Sequence, residues 1–464
     1  MTPDRAKSNT KDGWLFWGLI ALVALAPLPL ASNRPLPAAI LALCAGILLL
    51  IWSLHLAAGK RMAVAPTKIA WPLFLFGGVV LWIFIQWVPL PFTGKGDPIW
   101  TVASDALQTQ LTPRLSVNPE ATLTGLMRLL TYAIIFWLTL QTTRAPDRAR
   151  QSIIAATMIG AIYALYGLVI FLLGNDWILI YPKWAYLEAL TSTFVNRNSY
   201  ATFAGLSLLC ATAIALENMR QIARLDRPLR VKSVMLLELL VGESRWAISA
   251  VFLIAIALLL TASRAGVASS FAAIVLLTFL LLRGSNLRFI TIVLLFALIG
   301  FFAALVYFLA GENLMIRAGR TDIWLSQISR QDIYDTTIAA IMASPWTGTG
   351  FGTYIDTISG YRDGAVPLKF TLDRAHNTYL ESAAELGIPA TIALNLSIGL
   401  LVLRMMSGYF ERRRNRLYPA IGIAATLLVG LHSLVDFSLQ IPAVTIFYAF
   451  ILGVSVSQSW RHSG

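Results

Sequence analysis

Long apolar runs and short polar segments alternate along most of the chain. The runs are about 18–22 residues long, which is the length that a helix needs to cross a bilayer core. A chain in lipid must satisfy its backbone polar groups within helices or closed barrels, and barrel strands would alternate over about ten residues instead. We therefore predict an all-α polytopic membrane protein with about twelve transmembrane helices. The predicted spans are 14–31, 36–58, 69–91, 126–142, 152–173, 199–217, 246–262, 266–282, 289–310, 384–403, 419–435 and 441–459.

A long polar segment interrupts this pattern between Glu312 and Glu385, where the sequence becomes charged, aromatic and rich in glycine. It predicts one large periplasmic loop over residues 311–383 that carries short helices. Within it, five residues recur at helical spacing, which predicts a short amphipathic helix on the outer membrane surface. These residues are Ile333, Thr337, Ile338, Ile341 and Met342.

Composition and charge agree with a membrane protein. The chain has 464 residues and is 57% hydrophobic and 13% charged, whereas soluble domains contain about 25% charged residues. With a cytoplasmic N-terminus, 23 of the 36 basic residues fall on the cytoplasmic side, and such an asymmetry orients membrane proteins. The formal charge of +13 is then explained by topology, and we expect no nucleic-acid partner. Both termini are predicted to be cytoplasmic, with the segments 92–125, 174–198 and 311–383 outside.

The first apolar run and the two cysteines limit other interpretations. Basic residues before Trp14–Leu30 resemble a signal peptide, but further spans follow at once, so we predict a retained anchor. Cys44 and Cys210 lie inside apolar runs, so we expect neither a disulfide nor a metal site. The run Arg412–Arg414 is expected to contact anionic membrane lipids.

Arg264 is the only charged residue between Ala247 and Leu282. As a single helix that stretch would be about 54 Å long, which exceeds a hydrocarbon core of about 30 Å. We therefore predict two short spans joined by a turn at Ser263–Gly266 on the outer side. Arg264 would lie slightly below the membrane surface, where an unpaired charge costs about 3 kcal/mol. We predict that it binds an anion, and an arginine that extends to water is the alternative.

His376 comes just before an apolar helix. Thr378 and Glu381 have the spacing of a capping box, which predicts that a membrane-spanning helix begins here with its N-terminus outward. The partial positive charge of a helix N-terminus suits a phosphate and favours a neutral imidazole. A lone histidine is more often structural, but the position of His376 beside Arg374 favours a role in catalysis.

Other arginines of the loop are further candidates for anion binding. Arg330 precedes the predicted amphipathic helix, and Arg317 and Arg320 lie upstream of it. A guanidinium group can donate two parallel hydrogen bonds to phosphate oxygens, which lysine cannot do. Each of these arginines could equally be a solvated surface charge.

Three more motifs have competing interpretations. Asn196–Asn198 either binds polar groups of a substrate or caps a helix. Gly348–Gly352 lacks the features of a nucleotide-binding loop and predicts a tight turn that can expose backbone N–H groups. His432 and Asp436 are four residues apart on one predicted helical face, and a buried structural hydrogen bond is the favoured role.

Six of these motifs, in this order, resemble the O-antigen ligase and O-antigen polymerase superfamily of bacterial inner membranes. They cover roughly residues 190–440. The motifs are Thr193-Phe194-Val195-Asn196-Arg197-Asn198, Ser263-Arg264, Arg330-x-x-Ile333-Tyr334, Pro345-x-x-Gly348-x-Gly350-x-Gly352, His376-Asn377-x-Tyr379-Leu380-x-x-x-x-Glu385-x-Gly387 and His432-Ser433-Leu434-Val435-Asp436-Phe437.

The resemblance implies metal-independent, inverting glycosyl transfer at the periplasmic face, without a cofactor. The donor would be a glycan on undecaprenyl diphosphate. The acceptor would be a sugar hydroxyl, on a lipid A–core oligosaccharide for a ligase or on another glycan for a polymerase, and the sequence leaves this choice open. Arg264 and Arg330 would hold the diphosphate, and His376 would bind or deprotonate the acceptor hydroxyl. The other residues expected to bind substrate are Asn196, Arg197, Arg317, Arg320, Arg374, Asn377 and Tyr379.

The expected organisation has membrane helices over 1–190, a ligase-like core over 191–440, and a last membrane helix with a tail over 441–464. A transporter or flippase of lipid-linked glycans is the alternative from another class of protein, because twelve spans are common there. The sequence shows no internal repeat and few charges within the spans beyond Arg264, and both features argue against a transporter.

Overall fold

The computed structural model describes residues 13–90, 96–223, 245–283, 330–362, 372–412 and 415–460. This part of the chain is mostly helical, as predicted, and also contains a short β-hairpin, Trp177–Ile178 and Tyr181–Pro182. Its α-helices are α1 (Gly13–Leu25), α2 (Pro35–Ala57), α3 (Ala70–Trp87), α4 (Ile99–Leu107), α5 (Pro119–Thr142), α6 (Pro146–Leu172), α7 (Arg197–Ala223), α8 (Arg245–Leu260), α9 (Arg264–Leu282), α10 (Arg330–Ala343), α11 (Tyr354–Thr357), α12 (Thr378–Leu386), α13 (Ile388–Glu411), α14 (Leu417–His432) and α15 (Pro442–Ser457).

Seven helices among the described residues are long and apolar enough to cross a membrane, namely α2, α3, α5, α6, α7, α9 and α13. Four shorter apolar helices, α1, α8, α14 and α15, accompany them. Each of these helices overlaps one predicted span. The predicted span 289–310 lies outside the described residues, as do the parts 311–329 and 363–371 of the predicted loop, which include Arg317 and Arg320.

The helix α7 lies in the middle of the bundle and packs against α6, α8, α9 and α14. Small residues allow this close approach, as is usual between membrane helices. A Cβ atom on Gly205 of α7 would lie 2.1 Å from the hydroxyl of Ser270 in α9. Nearer the helix starts, a Cβ atom on Gly266 would lie 2.6 Å from the Cβ of Ala201. The first turns of α7 and α9 are therefore held side by side.

The predicted break into two helices near Arg264 is confirmed, but the turn lies at Thr261–Ser263, before the predicted turn Ser263–Gly266. The helix α8 ends at Leu260, and α9 begins at Arg264 after a turn in which Ala262 has a φ of 51°. The Ser263 side chain caps α9, because its hydroxyl oxygen accepts a hydrogen bond from the backbone N–H of Gly266 at 3.3 Å. Arg264 is thus the first residue of its helix, and its side chain is exposed.

The helix α10 coincides with the predicted amphipathic helix of the loop. Its buried residues include Thr337 and Ile341, which pack against Tyr354 and neighbouring residues of the same loop region. Ile338 and Met342 face away from this cluster and are 44% and 69% exposed. The helix is therefore docked on protein through one face, and contact of the other face with a membrane surface stays a prediction.

The predicted capping box and the predicted start of the span at 384 are wrong. The helix α12 is capped by Asn377, whose Oδ1 accepts hydrogen bonds from the N–H groups of Tyr379 and Leu380. A short Asn side chain reaches both groups, while Glu381 turns towards Arg374 instead. The helix stops at Gly387, where φ is 80° and a Cβ atom would clash with a carbonyl oxygen, and the membrane helix α13 begins only at Ile388.

Candidate functional site

Three predicted site arginines, Arg197, Arg264 and Arg330, line one cleft with a volume of about 690 Å³. They come from α7, α9 and the first described residue of α10, so distant parts of the chain meet here. Asn198, Ser263 and Val435 are among the other residues of the lining. No acidic residue lines this space within the described part of the chain. We call it the arginine cleft.

The arginines occupy positions that disfavour a cation in an isolated helix. Arg197 and Arg264 are the first residues of α7 and α9, where the helix dipole carries a partial positive charge. A guanidinium group there opposes the dipole, whereas an anion is stabilised by the dipole and the guanidinium together. The arginine cleft therefore combines features that favour an anion, and guanidinium groups can donate paired hydrogen bonds to phosphate oxygens.

A buried hydrogen-bond network fixes the wall of the arginine cleft. Asp436 is fully buried and accepts hydrogen bonds from Asn198 Nδ2 at 3.2 Å and from the Ser438 hydroxyl. The Ser263 hydroxyl donates to Asn198 Oδ1 at 2.8 Å. Asn198 thus joins the start of α7 to the start of α9, and Asp436 holds Asn198 in place.

His432 and Asp436 are both buried in this network, as the favoured structural role predicts, but the predicted shared helical face is wrong, because α14 ends at His432. The Thr202 hydroxyl lies 2.5 Å from His432 Nδ1 and 2.9 Å from the Ser438 hydroxyl. Because the Ser438 hydroxyl contacts both Asp436 and His432 Nδ1, it links the two predicted residues, and Thr202 joins them to α7. The motif from His432 to Phe437 therefore positions the start of α7.

His376 lies next to the arginine cleft and interacts electrostatically with Arg330 and Asp436. Its φ is 51°, and its carbonyl oxygen accepts a hydrogen bond from the Tyr334 hydroxyl at 3.2 Å. Burial lowers the pKa of the His376 imidazole, Asp436 opposes this effect, and Arg330 adds to it. The imidazole is therefore held neutral, as expected from the sequence, in the form that accepts a proton.

One ring nitrogen of His376 is available for a further partner. Nδ1 is buried and has no hydrogen-bond partner among the described residues. An unpaired buried polar atom costs about 1–3 kcal/mol, and a water or a substrate hydroxyl that bonded to it would remove this cost. The ring itself packs edge-on against Phe437, with 5.1 Å between the ring centroids.

Arg374, Asn377 and Tyr379 also make contacts within the fold. Arg374 forms an ion pair with the buried Glu381 at 2.8 Å, and Glu381 also accepts the N–H of Ala375 at 3.0 Å. Asn377 caps α12, and the Tyr379 hydroxyl donates to the Gly430 carbonyl at 3.0 Å. These contacts hold the segment that carries His376. Arg374 also lines a cavity.

A second cavity of about 360 Å³ lies next to the arginine cleft. Asn196 lines it, whereas the following residues Arg197 and Asn198 line the arginine cleft, so one turn of chain separates the two spaces. Asn196 also caps α7, since its Oδ1 accepts from the Asn198 N–H at 2.7 Å. Other residues of the second cavity include Arg34, Trp184, Tyr354, Asp373, Arg374 and Phe437.

The glycine-rich turn supports α12 and does not present free N–H groups. The N–H groups of Thr349 and Gly350 donate to the carbonyl oxygens of Ala384 and Glu385, each at 3.0 Å. A Cβ atom on Gly348, whose φ is 62°, would lie 2.2 Å from the Glu385 carbonyl oxygen. The possibility of an anion-binding turn is therefore not realised, and the turn packs the loop region onto the end of α12.

The raised pKa of the Glu385 carboxyl group leads to a testable prediction. Burial, and then the neighbouring Glu381, raise the pKa of Glu385 to about 8. Because the folded state holds this proton more tightly than the unfolded state does, Glu385 favours folding below its ordinary pKa of about 4.5, and this contribution is lost as pH rises through 8. We expect the apparent Tm in detergent to fall between pH 6 and pH 9, and Glu385→Gln to fall less. Glu120→Gln, at an exposed carboxylate, should leave the pH dependence unchanged.

Two residues near the site, Tyr186 and Arg128, were not predicted from the sequence. Tyr186 interacts electrostatically with Arg197, Arg330 and Asp436, and the Arg197 guanidinium lies 5.3 Å from its ring centroid. Nothing in the local sequence distinguishes this tyrosine from other loop aromatics. Arg128 is different, because a charged residue within a predicted span is itself a functional signal.

Arg128 lies in α5 near Tyr132 and Arg374, with which it interacts electrostatically. Its Nε is buried and has no hydrogen-bond partner in the described structure. Arg128 lies within the predicted span 126–142, and no role was predicted for it. It brings a further positive charge to the side of the protein that carries Arg374.

Comparisons with known proteins test the resemblance that the sequence motifs predict. No curated protein matches the chain. A family model described as O-antigen ligase matches residues 249–395, the segment that carries Arg264, Arg330 and His376. The predicted resemblance is confirmed over this segment, which is similar to the O-antigen ligase family and supports the O-antigen ligase and polymerase superfamily.

Proposed function

We propose that the protein transfers a glycan from undecaprenyl diphosphate to a sugar hydroxyl at the periplasmic face of a bacterial inner membrane. The observation that carries the proposal is the convergence of Arg197, Arg264 and Arg330 on one cleft beside the neutral His376. The match to the O-antigen ligase family supports glycosyl transfer in polysaccharide biosynthesis. The catalytic core is proposed to be residues 191–440, with 1–190 and 441–464 supplying helices that pack around it.

The proposed chemistry is a direct displacement at the anomeric carbon. The bond from this carbon to the diphosphate oxygen breaks, and negative charge develops on the departing diphosphate. The guanidinium groups of Arg264 and Arg330, fixed at the arginine cleft, stabilise that charge, and Arg197 adds to the field. The acceptor hydroxyl attacks from the opposite side, gives its proton to His376, and forms a bond with inverted configuration.

Contacts that fix the proposed site residues support this reaction. Asp436 and Asn198 hold the starts of α7 and α9, which fixes Arg197 and Arg264 relative to each other. The ion pair of Arg374 with Glu381 holds the segment before His376. We therefore propose that Arg374, Asn377 and Tyr379 act mainly as positioning residues. Holding the reactants in a productive geometry can lower the activation barrier by about 7 kcal/mol or more, relative to a free encounter in solution.

A reconstituted assay tests the proposed reaction. The purified protein receives an undecaprenyl-diphosphate-linked glycan and a rough-type lipopolysaccharide in proteoliposomes, with divalent ions chelated. We expect a new glycosidic bond to lipid A–core for a ligase, or a longer glycan on the polyprenyl carrier for a polymerase. Movement of the donor between leaflets without a new glycosidic bond would support a flippase instead and would contradict the proposal.

The proposed orientation has a test of its own. In a Cys44→Ala, Cys210→Ala background, one new cysteine replaces the exposed Asp335 of α10 and another replaces the exposed Arg61 after α2. In intact spheroplasts, a membrane-impermeant maleimide is expected to label position 335 and to leave position 61 unlabelled until the membrane is opened. The reverse pattern would place the arginine cleft on the cytoplasmic side.

A further inference from the structure

An apolar groove runs along the outside of the protein between α1 and α2. Its volume is about 670 Å³, and Leu25, Ile40 and Ile47 are among the mostly apolar residues that line it. These three side chains are 57%, 51% and 46% exposed. Because α2 is apolar and long enough to cross a membrane, the groove is expected to face the acyl chains of the bilayer.

This groove adjoins the second cavity. Leu30 and Arg34 line both spaces, so apolar and polar parts meet at these two residues. The Arg34 guanidinium lies 5.6 Å from the ring centroid of Trp184, which also lines the second cavity. An amphiphile could therefore extend from the bilayer into the second cavity without leaving the protein surface.

The chain is strained where the two spaces join. Leu30, Ala31 and Ser32 have φ values of 52°, 58° and 54°, and all three are buried. A left-handed conformation costs about 1–2 kcal/mol for each residue with a side chain. The Ser32 hydroxyl holds the turn through hydrogen bonds to the Ala26 and Leu28 carbonyls, at 2.7 and 3.0 Å. Strain of this kind concentrates where a fold forms a ligand clamp.

The second cavity has the chemistry of a saccharide site. Trp184 and Phe437 offer flat apolar faces, while Asn33, Asn196 and Asp373 offer hydrogen-bonding groups. A mostly apolar surface with a few directed polar groups is typical of small-molecule sites. Arg34 supplies a cation where the groove meets the second cavity. The saccharide of a bound glycolipid would join its membrane-embedded part at this place.

We propose that the groove and the second cavity together bind the lipid-anchored acceptor. One acyl chain lies in the groove, an anionic group of the headgroup contacts Arg34, and the saccharide enters the second cavity. This inference rests on the proposed function, since it names the place of the second substrate. The two substrates would then lie on either side of the turn formed by Asn196–Asn198.

Two observations favour the acceptor over the donor as the occupant. The groove shares no lining residue with the arginine cleft in the described structure, where the donor diphosphate is proposed to bind. His376 packs against Phe437, which lines the second cavity, so the proposed base lies beside the space for the acceptor. A donor chain in the groove would put its diphosphate on the wrong side of the turn.

A binding experiment with matched variants tests this proposal. Cys44 lines the groove, whereas the adjacent Leu43 is 65% exposed and lies outside it. Native mass spectrometry of the purified full chain in detergent reports the bound fraction of rough-type lipopolysaccharide or of undecaprenyl diphosphate. We expect Cys44→Trp and Arg34→Ala to weaken lipopolysaccharide binding about tenfold, as for the loss of one charged hydrogen bond or an equivalent contact area. Leu43→Trp should bind like the wild type.

The donor provides the opposite arm of the experiment. Arg264→Ala should weaken binding of undecaprenyl diphosphate and spare lipopolysaccharide, whereas the groove variants should do the reverse. If Cys44→Trp does not fold, Ile40→Trp fills the same groove from the preceding turn. Loss of donor binding in the groove variants, or unchanged binding of both lipids, would overturn the inference. Because binding is read without turnover, failure of the proposed transfer reaction would be visible separately.

Discussion

Replacing Arg264 by alanine is expected to lower kcat for glycan transfer by about 10²–10³, the loss typical of removing one group that stabilises charge in the transition state. Arg264 is the first residue of α9, is exposed, and lines the arginine cleft with Arg197 and Arg330. The measurement is the rate of product formation in proteoliposomes at saturating donor and acceptor. Arg264→Lys keeps the charge but loses the two-pronged donor geometry, so a smaller loss is expected.

The matched control is Arg283, which directly follows the last residue of the same helix. A cation at a helix C-terminus is stabilised by the dipole, whereas one at the N-terminus is disfavoured, each by about 0.3–1 kcal/mol. Arg283→Ala should therefore keep wild-type turnover and be slightly less stable. Arg264→Ala should lose turnover without losing stability. Wild-type turnover in purified Arg264→Ala would refute the role of the arginine cleft.

Replacing His376 by alanine is expected to lower kcat/KM by about 10²–10⁴, the usual contribution of a general base. The wild-type rate should fall on the acid side, because the neutral imidazole is the active form. Burial lowers the pKa of His376 below the ordinary value of 6.5, so the midpoint of this fall is expected below pH 6.5. The residual rate of His376→Ala should lack the acid limb. The measurement is kcat/KM across pH 4.5–9.

Two further variants sharpen the test of His376. Arg330 lowers the pKa of His376 through its charge, so the residual activity of Arg330→Gln should show its acid limb at higher pH. His55→Ala serves as the control, since His55 lies in the last turn of α2. It should keep both the rate and the acid limb. A midpoint above pH 6.5 in the wild type, or an acid limb retained in His376→Ala, would show that another group titrates.

Individual helices were predicted correctly where the signal lies in a short stretch of sequence. Apolar length and the single charge at Arg264 were enough to locate the break between α8 and α9. At α12 the local sequence gave a wrong capping residue, because Thr378 and Glu381 have capping-box spacing but Asn377 caps the helix. Glu381 is drawn instead to Arg374 and the Ala375 N–H, and these partners depend on how the loop folds back.

The site was predicted as a set of residue types, and its grouping was not. The sequence set Arg264 and Arg330 apart from Arg197 and Arg374, whereas the fold brings Arg197, Arg264 and Arg330 to one cleft and pairs Arg374 with Glu381. Nothing in the spacing of these residues could predict this grouping. The same holds for Tyr186, which joins the site only because its loop lies over the start of α7.

By itself, the sequence determined the apolar helices, the break near Arg264 and the resemblance to the O-antigen ligase superfamily, because length, hydropathy and motif order are read along the chain. Only the tertiary structure decided which arginines share a cleft, that Asp436 and Asn198 hold its wall, and that a groove between α1 and α2 opens beside it. The physical reason is that these features depend on close packing between helices, above all at Gly266 against Ala201, and such contacts join residues far apart in the chain.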